Sequence, residues 1–276
     1  MPQLSIITIN FNNKKGLKKT IPSVIRQSFS DYEYIIIDGG STDGSVDLIT
    51  QYSGKITSWI SEPDKGIYNA MNKGIKRAKG VYCLFLNSGD CFMDNDILNK
   101  VFSIPFTEDI VFGDTICVNM RLSYPSKISL SYLISKSLPH QSSFIKRSLF
   151  DRFGNYNEEN RIVSDWEFGL KAILLYNCSY RYLSDIIVSR MELPGHSLDQ
   201  KLAQIKNKEA EQVLKKFLIP ILKNKIDDPE KTDEINEVVI KLFNTRDSKL
   251  VRLALSFEDS KIFYFLRRIY YRISKS

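Results

Sequence analysis

Three short polar segments in this sequence each follow directly on an apolar run. They are Asn10–Asn12, Asp38–Ser41 and Asn87–Asp90, and the last two contain glycine. If the apolar runs are parallel strands, their carboxyl ends meet at one edge of the sheet, which is where open sheets of this kind bind ligands. Amide and carboxylate side chains collected at that edge can hydrogen-bond a polar molecule. We therefore expect one cleft that receives a polar ligand.

Strands alternating with helices over residues 1–190 would position these segments. The clearest helix is Ile67–Ala78, where apolar residues recur at helical spacing until Gly80 ends the pattern. A second helix is predicted over Thr20–Gln27, with Thr20 as its N-cap and Pro22 in its first turn. The predicted strands are Leu4–Ile9, Tyr34–Ile37, Ile56–Ile60, Val81–Leu86 and Asp109–Phe112. Strands separated by helices predict a parallel sheet with crossover helices.

The composition is typical of a protein with a large core. Of 276 residues, 43% are hydrophobic and 26% are charged, which excludes a disordered chain, a collagen and a disulfide-rich miniprotein. The apolar stretches are far shorter than the roughly 18 residues of a transmembrane helix. An alternating apolar segment begins at Leu4 with no basic n-region or long h-region before it, so we expect no signal peptide and a cytoplasmic protein. The four cysteines form no C-x-x-C pair, which favours buried free thiols over a metal site or disulfides.

The positive charge is concentrated at the C-terminal end. The net charge is +7, and residues 200–276 contain 17 Lys and Arg against 11 Asp and Glu, which leaves +6 there and +1 in the rest. Residues 261–276 interleave five basic residues with apolar ones and contain no acid. On a helix this pattern gives an apolar face beside a basic one, which suits either a membrane surface or a helix packed on the rest of the chain or on a dimer partner.

Four motifs occur in order within the first 90 residues, namely Ser5–Asn12, Ile37–Ser45, Glu62–Gly74 and Leu86–Asp90. Together they resemble the family 2 inverting glycosyltransferases of the GT-A fold, in particular the branch with the colanic-acid and exopolysaccharide enzymes. The resemblance covers residues 3–197. It implies an α/β fold with a mostly parallel, Rossmann-like sheet flanked by helices. We expect a GT-A catalytic domain over residues 1–197 and a helical, basic extension over residues 198–276.

The resemblance also implies a reaction. A hexosyltransferase of this family moves a sugar from a nucleotide-diphosphate donor, here a UDP- or GDP-sugar, to an acceptor hydroxyl and inverts the anomeric carbon. The implied acceptor is a surface polysaccharide or a lipid-linked oligosaccharide at the inner face of the membrane. For the C-terminal helices, peripheral membrane contact and homodimer formation both stay open.

By the same resemblance, four residues belong to the donor pocket. Phe11 would stack on the nucleotide base, and Asp38 would hydrogen-bond the base or the ribose. The loop with Asp64 and Gly66 would line the pocket. Each assignment has an ordinary structural alternative, which is a core ring for Phe11, a turn for Asp38 and a helix cap for Asp64. For Asp43 the capping role is preferred.

The segment Asn87–Asp90 stands where the family has its D-x-D type motif, which holds Mn²⁺ or Mg²⁺ against the donor phosphates. Asn87 replaces the first carboxylate and brings no charge, so Asp90 is the leading direct ligand. Metal binding should therefore be weak until the donor diphosphate supplies further charge. His196 lies where relatives have a loop that closes over the phosphates. It is a further candidate metal ligand, with an ordinary loop histidine as the alternative.

The resemblance assigns the general base to Asp165, at the start of an apolar helical run. Inversion by direct displacement needs one such base on the face opposite the leaving group, and a carboxylate can serve. Glu167 is the second candidate, and helix capping is the structural alternative for Asp165. His140 and Gln141 match a family pair near the acceptor side of the cleft.

Three other classes of protein fit parts of this sequence but lack support elsewhere in it. A sugar-phosphate nucleotidyltransferase would need a glycine-rich, basic phosphate loop after the first strand, and Asn10–Asn13 is not one. A nucleic-acid-binding module is suggested by the positive charge, but that charge lies in the tail and not around the expected cleft. A hydrolase with paired carboxylates would need an acid partner for Asp165, which the spacing does not identify.

Overall fold

The computed structural model describes residues 1–191 and 202–226, which contain nine strands and eight α-helices. The strands are β1 Leu4–Asn10, β2 Tyr32–Asp38, β3 Ser58–Ser61, β4 Tyr82–Phe85, β5 Asp90–Phe92, β6 Ile110–Cys117, β7 Met120–Leu122, β8 Ser143–Lys146 and β9 Tyr180–Met191. The helices are α1 Lys14–Ile25, α2 Ser45–Gln51, α3 Ile67–Arg77, α4 Ile97–Phe102, α5 Leu130–Ser135, α6 Ser148–Phe153, α7 Ser164–Leu170 and α8 Ala203–Ile226. The predictions for His196 and for residues 261–276 concern parts of the chain outside the described residues.

These nine strands form one sheet in the order β3-β2-β1-β4-β8-β6-β9-β5, with β7 paired to β6. The first four are parallel neighbours. In the second half β8 is antiparallel to both β4 and β6, whereas β6 and β9 are parallel. The predicted α/β architecture, a sheet flanked by helices, is confirmed. The five predicted strands correspond to β1, β2, β3, β4 and β6, and the predicted Ile67–Ala78 helix corresponds to α3.

Helices cover both faces of the sheet. All seven residues of β1 are buried, and alternate side chains enter two different cores because successive residues of a strand point to opposite faces. Ile7 and Ile9 pack in the core that contains α3, and Leu4 and Ile6 pack in the core that contains α1. A strand buried on both faces is typical of a parallel sheet under crossover helices. The four cysteines are free thiols; Cys83, Cys117 and Cys178 are buried, whereas Cys91 is half-buried.

The first helix begins earlier than predicted. It starts at Lys14, because the side-chain oxygen of Asn13 accepts a first-turn N–H at 3.0 Å and so caps the helix. Thr20 is therefore not the cap, and Pro22 lies inside the helix. An internal proline removes one backbone hydrogen bond, but the buried apolar face of α1 continues through it to Val24. The prediction was wrong because it relied on the proline and overlooked the asparagine cap.

The last described helix, α8, packs on the rest of the structure. Val213 and Leu214 are buried in the core that contains α3. Glu209 is also buried, and its carboxylate accepts the backbone N–H groups of Arg161 and Ile162 at 2.8 and 3.0 Å. Among the helices of the described ranges, none is both long and apolar enough to cross a bilayer. The domain boundary after residue 197 stays a prediction.

Gly80 lies in the short loop between α3 and β4, and a substitution there tests how tightly this loop packs against β1. A β-carbon at this position would lie 2.5 Å from the Ser5 nitrogen and 2.7 Å from the Leu4 carbonyl carbon. Backbone atoms cannot yield as a flexible side chain can, so Gly80→Ala should lower the free energy of unfolding by about 1–3 kcal/mol. Urea unfolding measures the change. Gly54→Ala, with no atom within 4 Å of the added carbon, is the control and should be neutral or slightly stabilising. Equal stability of the two variants would contradict the packing argument.

Candidate active site

Phe11, Gly39 and Asp64 come together at the carboxyl end of β1 and β2. The ring of Phe11 is 64% exposed, so the alternative of a core ring is excluded. A β-carbon on Gly39 would lie 2.4 Å from Asp64 Oδ2 and 3.2 Å from Phe11 Cδ2. Asp64 Oδ1 accepts the N–H of Gly66 at 2.9 Å, directly before α3. An exposed ring and a carboxylate oxygen therefore border a space into which a β-carbon on residue 39 would intrude.

Asp38 ends β2 and is completely buried. Its carboxylate accepts hydrogen bonds from Asn10 Nδ2 at 2.7 Å and from the hydroxyls of Ser41 and Ser61 at 2.6 and 2.7 Å. The N–H groups of Ser41 and Gly40 donate to it at 2.9 and 3.2 Å. Burial alone would raise the pKa of Asp38, but these donors lower it below its usual value. This carboxylate joins the ends of β1, β2 and β3, and its predicted contact with a base or ribose stays a prediction.

The loops after β1 and β2 are also joined to each other. Asn12 has a left-handed backbone with φ 47°, and its side-chain oxygen accepts the N–H of Thr42 at 2.9 Å. Asp43 accepts the N–H of Lys14 at 2.7 Å, and its other oxygen accepts both the N–H and the hydroxyl of Ser45 at the start of α2. This arrangement agrees with the capping role preferred for Asp43. These hydrogen bonds join the loops after β1 and β2 into one rim beside Phe11.

The segment Asn87–Asp90 is fixed by α1. Asn13 donates to the carbonyl of Ser88 at 2.9 Å, and Thr20 donates to the carbonyl of Asp90 at 2.7 Å. Burial raises the pKa of the Asp90 carboxyl to about 6, against the opposing effect of the nearby His140. The side-chain oxygen of Asn87 is buried and has no hydrogen-bond partner among the residues that the structure describes. A desolvated carboxylate and an unpaired amide oxygen in one short segment fit a hard cation.

The described residues hold few candidate ligands for such a cation. Within residues 1–191 and 202–226, no group of three or more His, Cys, Asp or Glu side chains has the arrangement of a metal site. The expectation that metal binding depends on the donor diphosphate stays a prediction.

Asp165 lies in the first turn of α7, and its carboxylate meets two side chains from other elements. Oδ1 accepts the hydroxyl hydrogen of Tyr68, on α3, at 2.7 Å. Oδ2 lies 3.6 Å from Nδ1 of His140. The other ring nitrogen of His140, Nε2, lies 3.2 Å from the side-chain amide of Asn87. One imidazole therefore connects the candidate base to the candidate phosphate-binding segment.

Burial, hydrogen bonds and neighbouring charges together shift the pKa values of Asp165 and His140. Burial would raise the pKa of Asp165, but the hydrogen bond and charge of His140 and the hydrogen bond from Tyr68 lower it below its usual value. Burial would lower the pKa of His140, but Asp165 and, more distantly, Asp90 raise it. Asp165 is therefore ionised at neutral pH and able to accept a proton.

Three side chains of α3 hold Asp165 and the segment that leads to it; they belong to Tyr68, Asn69 and Asn72. Tyr68 contacts Asp165 itself. Asn72 is buried and pairs with both backbone groups of Tyr156, accepting its N–H at 3.1 Å and donating to its carbonyl at 2.9 Å. Asn69 and Asn72 each donate to the carboxylate of Glu158 at 2.8 Å. The motif that the resemblance assigned to the donor pocket thus also fixes the position of the candidate base.

Glu167, the second candidate for the base, occupies a different environment. It is buried, and its carboxylate accepts hydrogen bonds from Asn160 at 2.8 Å and from Asn157 at 3.4 Å. These bonds stabilise the loop before α7. The geometry favours Asp165 over Glu167 as the base.

The structure brings together Asp165, His140, Asn87 and Asp90, and it places Phe11, Gly39 and Asp64 on the rim formed by β1 and β2. Sequence reasoning did not include Tyr68 in the site. The only available signal was its position in the Glu62–Gly74 motif, directly after Gly66 and Ile67. His196, the further candidate metal ligand, lies outside the described residues.

The sequence and the fold both have relatives of known class. The profile of Glycosyl transferase family 2 matches residues 5–162. A PGL/p-HBAD biosynthesis glycosyltransferase of Mycobacterium tuberculosis is 30% identical over 203 residues, which are 71% of this chain and 79% of the relative. The crystal structure of residues 1–349 of TarS from S. aureus with UDP-GlcNAc has a TM-score of 0.62 at 18% identity and matches 98% of this chain and 88% of the other. In a longer TarS structure the match spans 53% of that chain.

An archaeal enzyme has the same fold. The mannosyltransferase PcManGT from Pyrobaculum calidifontis, in complex with GDP-Man and Mn²⁺, has a TM-score of 0.56 at 13% identity, with 100% of this chain and 76% of the other covered. At these identities the solved structures establish the fold, and the family model and the mycobacterial relative establish the class of protein.

The hydrogen bonds of Asp38 lead to a stability prediction. Asp38→Asn replaces one acceptor oxygen by a donor among groups that already donate, so the free energy of unfolding at pH 7 should fall by about 2–3 kcal/mol. The pKa of Asp38 is lowered in the folded state, so its contribution is complete above the usual carboxyl pKa of about 4 and is lost as the pH falls through the folded value. Urea unfolding at pH 7 and at pH 3 should show the difference between wild type and variant shrinking at the lower pH.

The matched control for this prediction is Asp31→Asn. Asp31 is exposed, so its replacement should change the free energy of unfolding by less than about 0.5 kcal/mol. If Asp38→Asn were as stable as Asp31→Asn at pH 7, the view of Asp38 as the junction of three strands would be wrong.

Proposed function

Because the chain belongs to glycosyl transferase family 2, we propose that it is an inverting, metal-dependent hexosyltransferase that uses a nucleotide-diphosphate sugar. The observation that carries this proposal is the imidazole of His140, which lies between Asp165 and Asn87. Displacement at an anomeric carbon needs a base for the incoming hydroxyl and a site for the leaving diphosphate. The arrangement supports the proposal, because the candidate base Asp165 and the candidate phosphate-binding residue Asn87 lie at opposite sides of one histidine ring.

On the donor side, the exposed ring of Phe11 is suited to stacking on a nucleotide base. Asp64 and Gly66 would line the space beside it, and Asp38 would hold the rim in shape or contact the ribose. Solved structures with the same fold contain UDP-GlcNAc or GDP-Man, which supports a UDP- or GDP-sugar as the donor.

Mn²⁺ or Mg²⁺ would be held by Asp90, with the amide oxygen of Asn87 as a neutral second ligand. When bound, such a cation neutralises the charge that develops on the departing nucleoside diphosphate. The PcManGT complex, which contains Mn²⁺, supports the choice of metal. His196 stays a proposed additional ligand.

At the acceptor side, Asp165 would take the proton of the acceptor hydroxyl on Oδ2. The hydroxyl oxygen then forms a bond to the anomeric carbon, and the bond from that carbon to the diphosphate oxygen breaks on the opposite face. The leaving nucleoside diphosphate keeps the electron pair of that bond, and the anomeric configuration inverts. The lowered pKa of Asp165 supports a base that is ready at neutral pH.

The acceptor we propose is a surface polysaccharide or a lipid-linked oligosaccharide. The mycobacterial relative named for PGL/p-HBAD biosynthesis supports an envelope glycan. Membrane contact or homodimer formation through the basic C-terminal residues belongs to the same proposal. Transfer to glycan acceptors from a panel of UDP- and GDP-sugars with Mn²⁺ tests the function directly, since a nucleotidyltransferase or a nucleic-acid-binding module would transfer none of them.

The base assignment predicts that Asp165→Asn lowers the transfer rate by a factor of about 10² to 10⁴, while the dissociation constant of the donor stays nearly the same. Radiolabelled transfer and isothermal titration with the donor measure the two quantities. Glu167→Gln keeps its role as an acceptor for Asn160 and should retain transfer within about tenfold. Loss of donor affinity in parallel with the rate would mean that Asp165 positions the donor, and a product of retained configuration by NMR would rule out direct displacement.

The metal assignment predicts that EDTA abolishes transfer and that Asp90→Asn weakens the activation by Mn²⁺. We expect an apparent activation constant at least about tenfold higher, because the site loses its only assigned charged ligand. Titrating Mn²⁺ into EDTA-treated protein measures it. Asp94→Asn is the control, since Asp94 is a surface residue paired with Lys100 at 2.8 Å, and it should titrate as wild type does. Undiminished transfer in EDTA would exclude the metal.

A further inference from the structure

The hydrogen bond between Tyr68 and Asp165 connects residues that lie 97 positions apart in the sequence. Tyr68 is 5% exposed, and its ring packs on that of Tyr156 with the centroids 5.6 Å apart. Burial and the charge of Asp165 raise the pKa of Tyr68 well above its usual value. The phenol therefore keeps its proton at all working pH values and serves as a fixed donor and not as an acid or a base.

The two oxygens of Asp165 differ in how they are held. Oδ1 is engaged by Tyr68 at the short distance of 2.7 Å, whereas Oδ2 makes a longer contact of 3.6 Å with Nδ1 of His140. The backbone N–H of Trp166 also donates to this carboxylate. A carboxylate accepts up to about four hydrogen bonds, so Oδ2 still has capacity to accept one from a new hydroxyl group. A carboxylate fixed at one oxygen can present the other at a constant angle.

Tyr68 is itself tied to the proposed donor loop. Asp64 Oδ1 accepts the N–H of Gly66 at 2.9 Å, and the N–H of Lys65 donates to Asn69 at 3.2 Å. Asn69 and Tyr68 are neighbours in the first turn of α3. The loop that would line the donor pocket and the donor that fixes Asp165 are thus part of one short, internally bonded unit.

On this basis, and resting on the proposed function, we infer that Tyr68 is a positioning residue for the base. Its hydroxyl anchors Oδ1 of Asp165 so that Oδ2 meets the acceptor hydroxyl in line with the anomeric carbon. Tyr68 acts through Asp165 and does not touch the reacting atoms. Its removal should therefore affect the rate of transfer and leave the binding of the donor intact.

The first test is Tyr68→Phe, which removes the hydroxyl and keeps the ring. The kcat of transfer should fall on the order of 10- to 100-fold, since small errors in the placement of a reacting group have effects of that size. The KM and the dissociation constant of the donor should stay within about twofold of wild type. Tyr156→Phe is the matched control, because Tyr156 is buried in the same aromatic cluster and no hydrogen bond to Asp165 is found for it in the described structure. This control should keep the wild-type kcat.

The second test asks whether Tyr68 acts through Asp165. A double-mutant cycle combines Tyr68→Phe with Asp165→Asn, and residues that act as one unit give non-additive effects. In the Asp165→Asn background, Tyr68→Phe should change the residual rate by less than about twofold. A further 10-fold loss in that background would mean that Tyr68 acts elsewhere and would overturn the inference.

The third test is the pH profile of kcat. The groups that face Asp165 are His140, Tyr68 and Tyr156, with Asp90 beyond the imidazole. Loss of the hydrogen bond from Tyr68 raises the pKa of Asp165, and the carboxylate must be ionised to act, so the acid limb should move to higher pH in Tyr68→Phe but not in Tyr156→Phe. Fluorotyrosine incorporated at position 68 is a stronger donor and should move the limb to lower pH.

These results separate the inference from the function on which it rests. Full activity of Asp165→Asn would overturn the proposed base itself. A severe loss in Asp165→Asn together with wild-type kcat in Tyr68→Phe would overturn only the role of Tyr68. If Tyr68→Phe unfolded at a much lower temperature than Tyr156→Phe, the opposite shift expected for the fluorinated protein would still decide the question, and an unmoved acid limb in that protein would refute the inference.

Discussion

A carboxylate that loses most of its contact with water is stable only while other groups donate hydrogen bonds to it. Two such carboxylates organise this cleft, namely the fully buried Asp38 and the mostly buried Asp165. Asp38 is satisfied by five donors from the ends of β1, β2 and β3. Asp165 is satisfied by Tyr68 and His140, which come from α3 and from the turn before β8. Neither carboxylate could be buried in an isolated segment of the chain. The need to supply donors therefore forces distant elements to meet at one edge of the sheet.

The same requirement explains why so much of α3 is polar on its inner side. Asn69 and Asn72 hold Glu158 and the backbone of Tyr156, and Glu209 of α8 holds the backbone directly before α7. The loop that carries Asp165, the proposed base, is thus supported from two helices. A base must be held in a fixed geometry to act efficiently, and these contacts are the ones that would hold it.

Sequence patterns predicted the parallel half of the sheet because each strand there is a continuous apolar run followed by a polar residue, as at Asp38. They predicted the residues at the strand ends for the same reason. The start of α1 was misplaced, since an asparagine cap is a weaker pattern than a proline. The meeting of His140 with Asp165, and of Tyr68 with the same residue, is a property of the β4-β8-β6 order and of α3 packing, which no local pattern contains. The orphaned oxygen of Asn87 likewise became visible only in three dimensions.

The place of β8 in the sheet has a consequence for the order in which the molecule is made. β4 ends at Phe85, but the strand that pairs with its free edge begins at Ser143. At synthesis rates of about 5–20 residues per second, that edge waits roughly 3–12 s for its partner. During this interval the nascent chain exposes Tyr82–Phe85, an apolar strand edge of the kind that pairs with other chains. The residues of the candidate site come from both halves of the sheet, so the site cannot form before β8 and α7 have been synthesised.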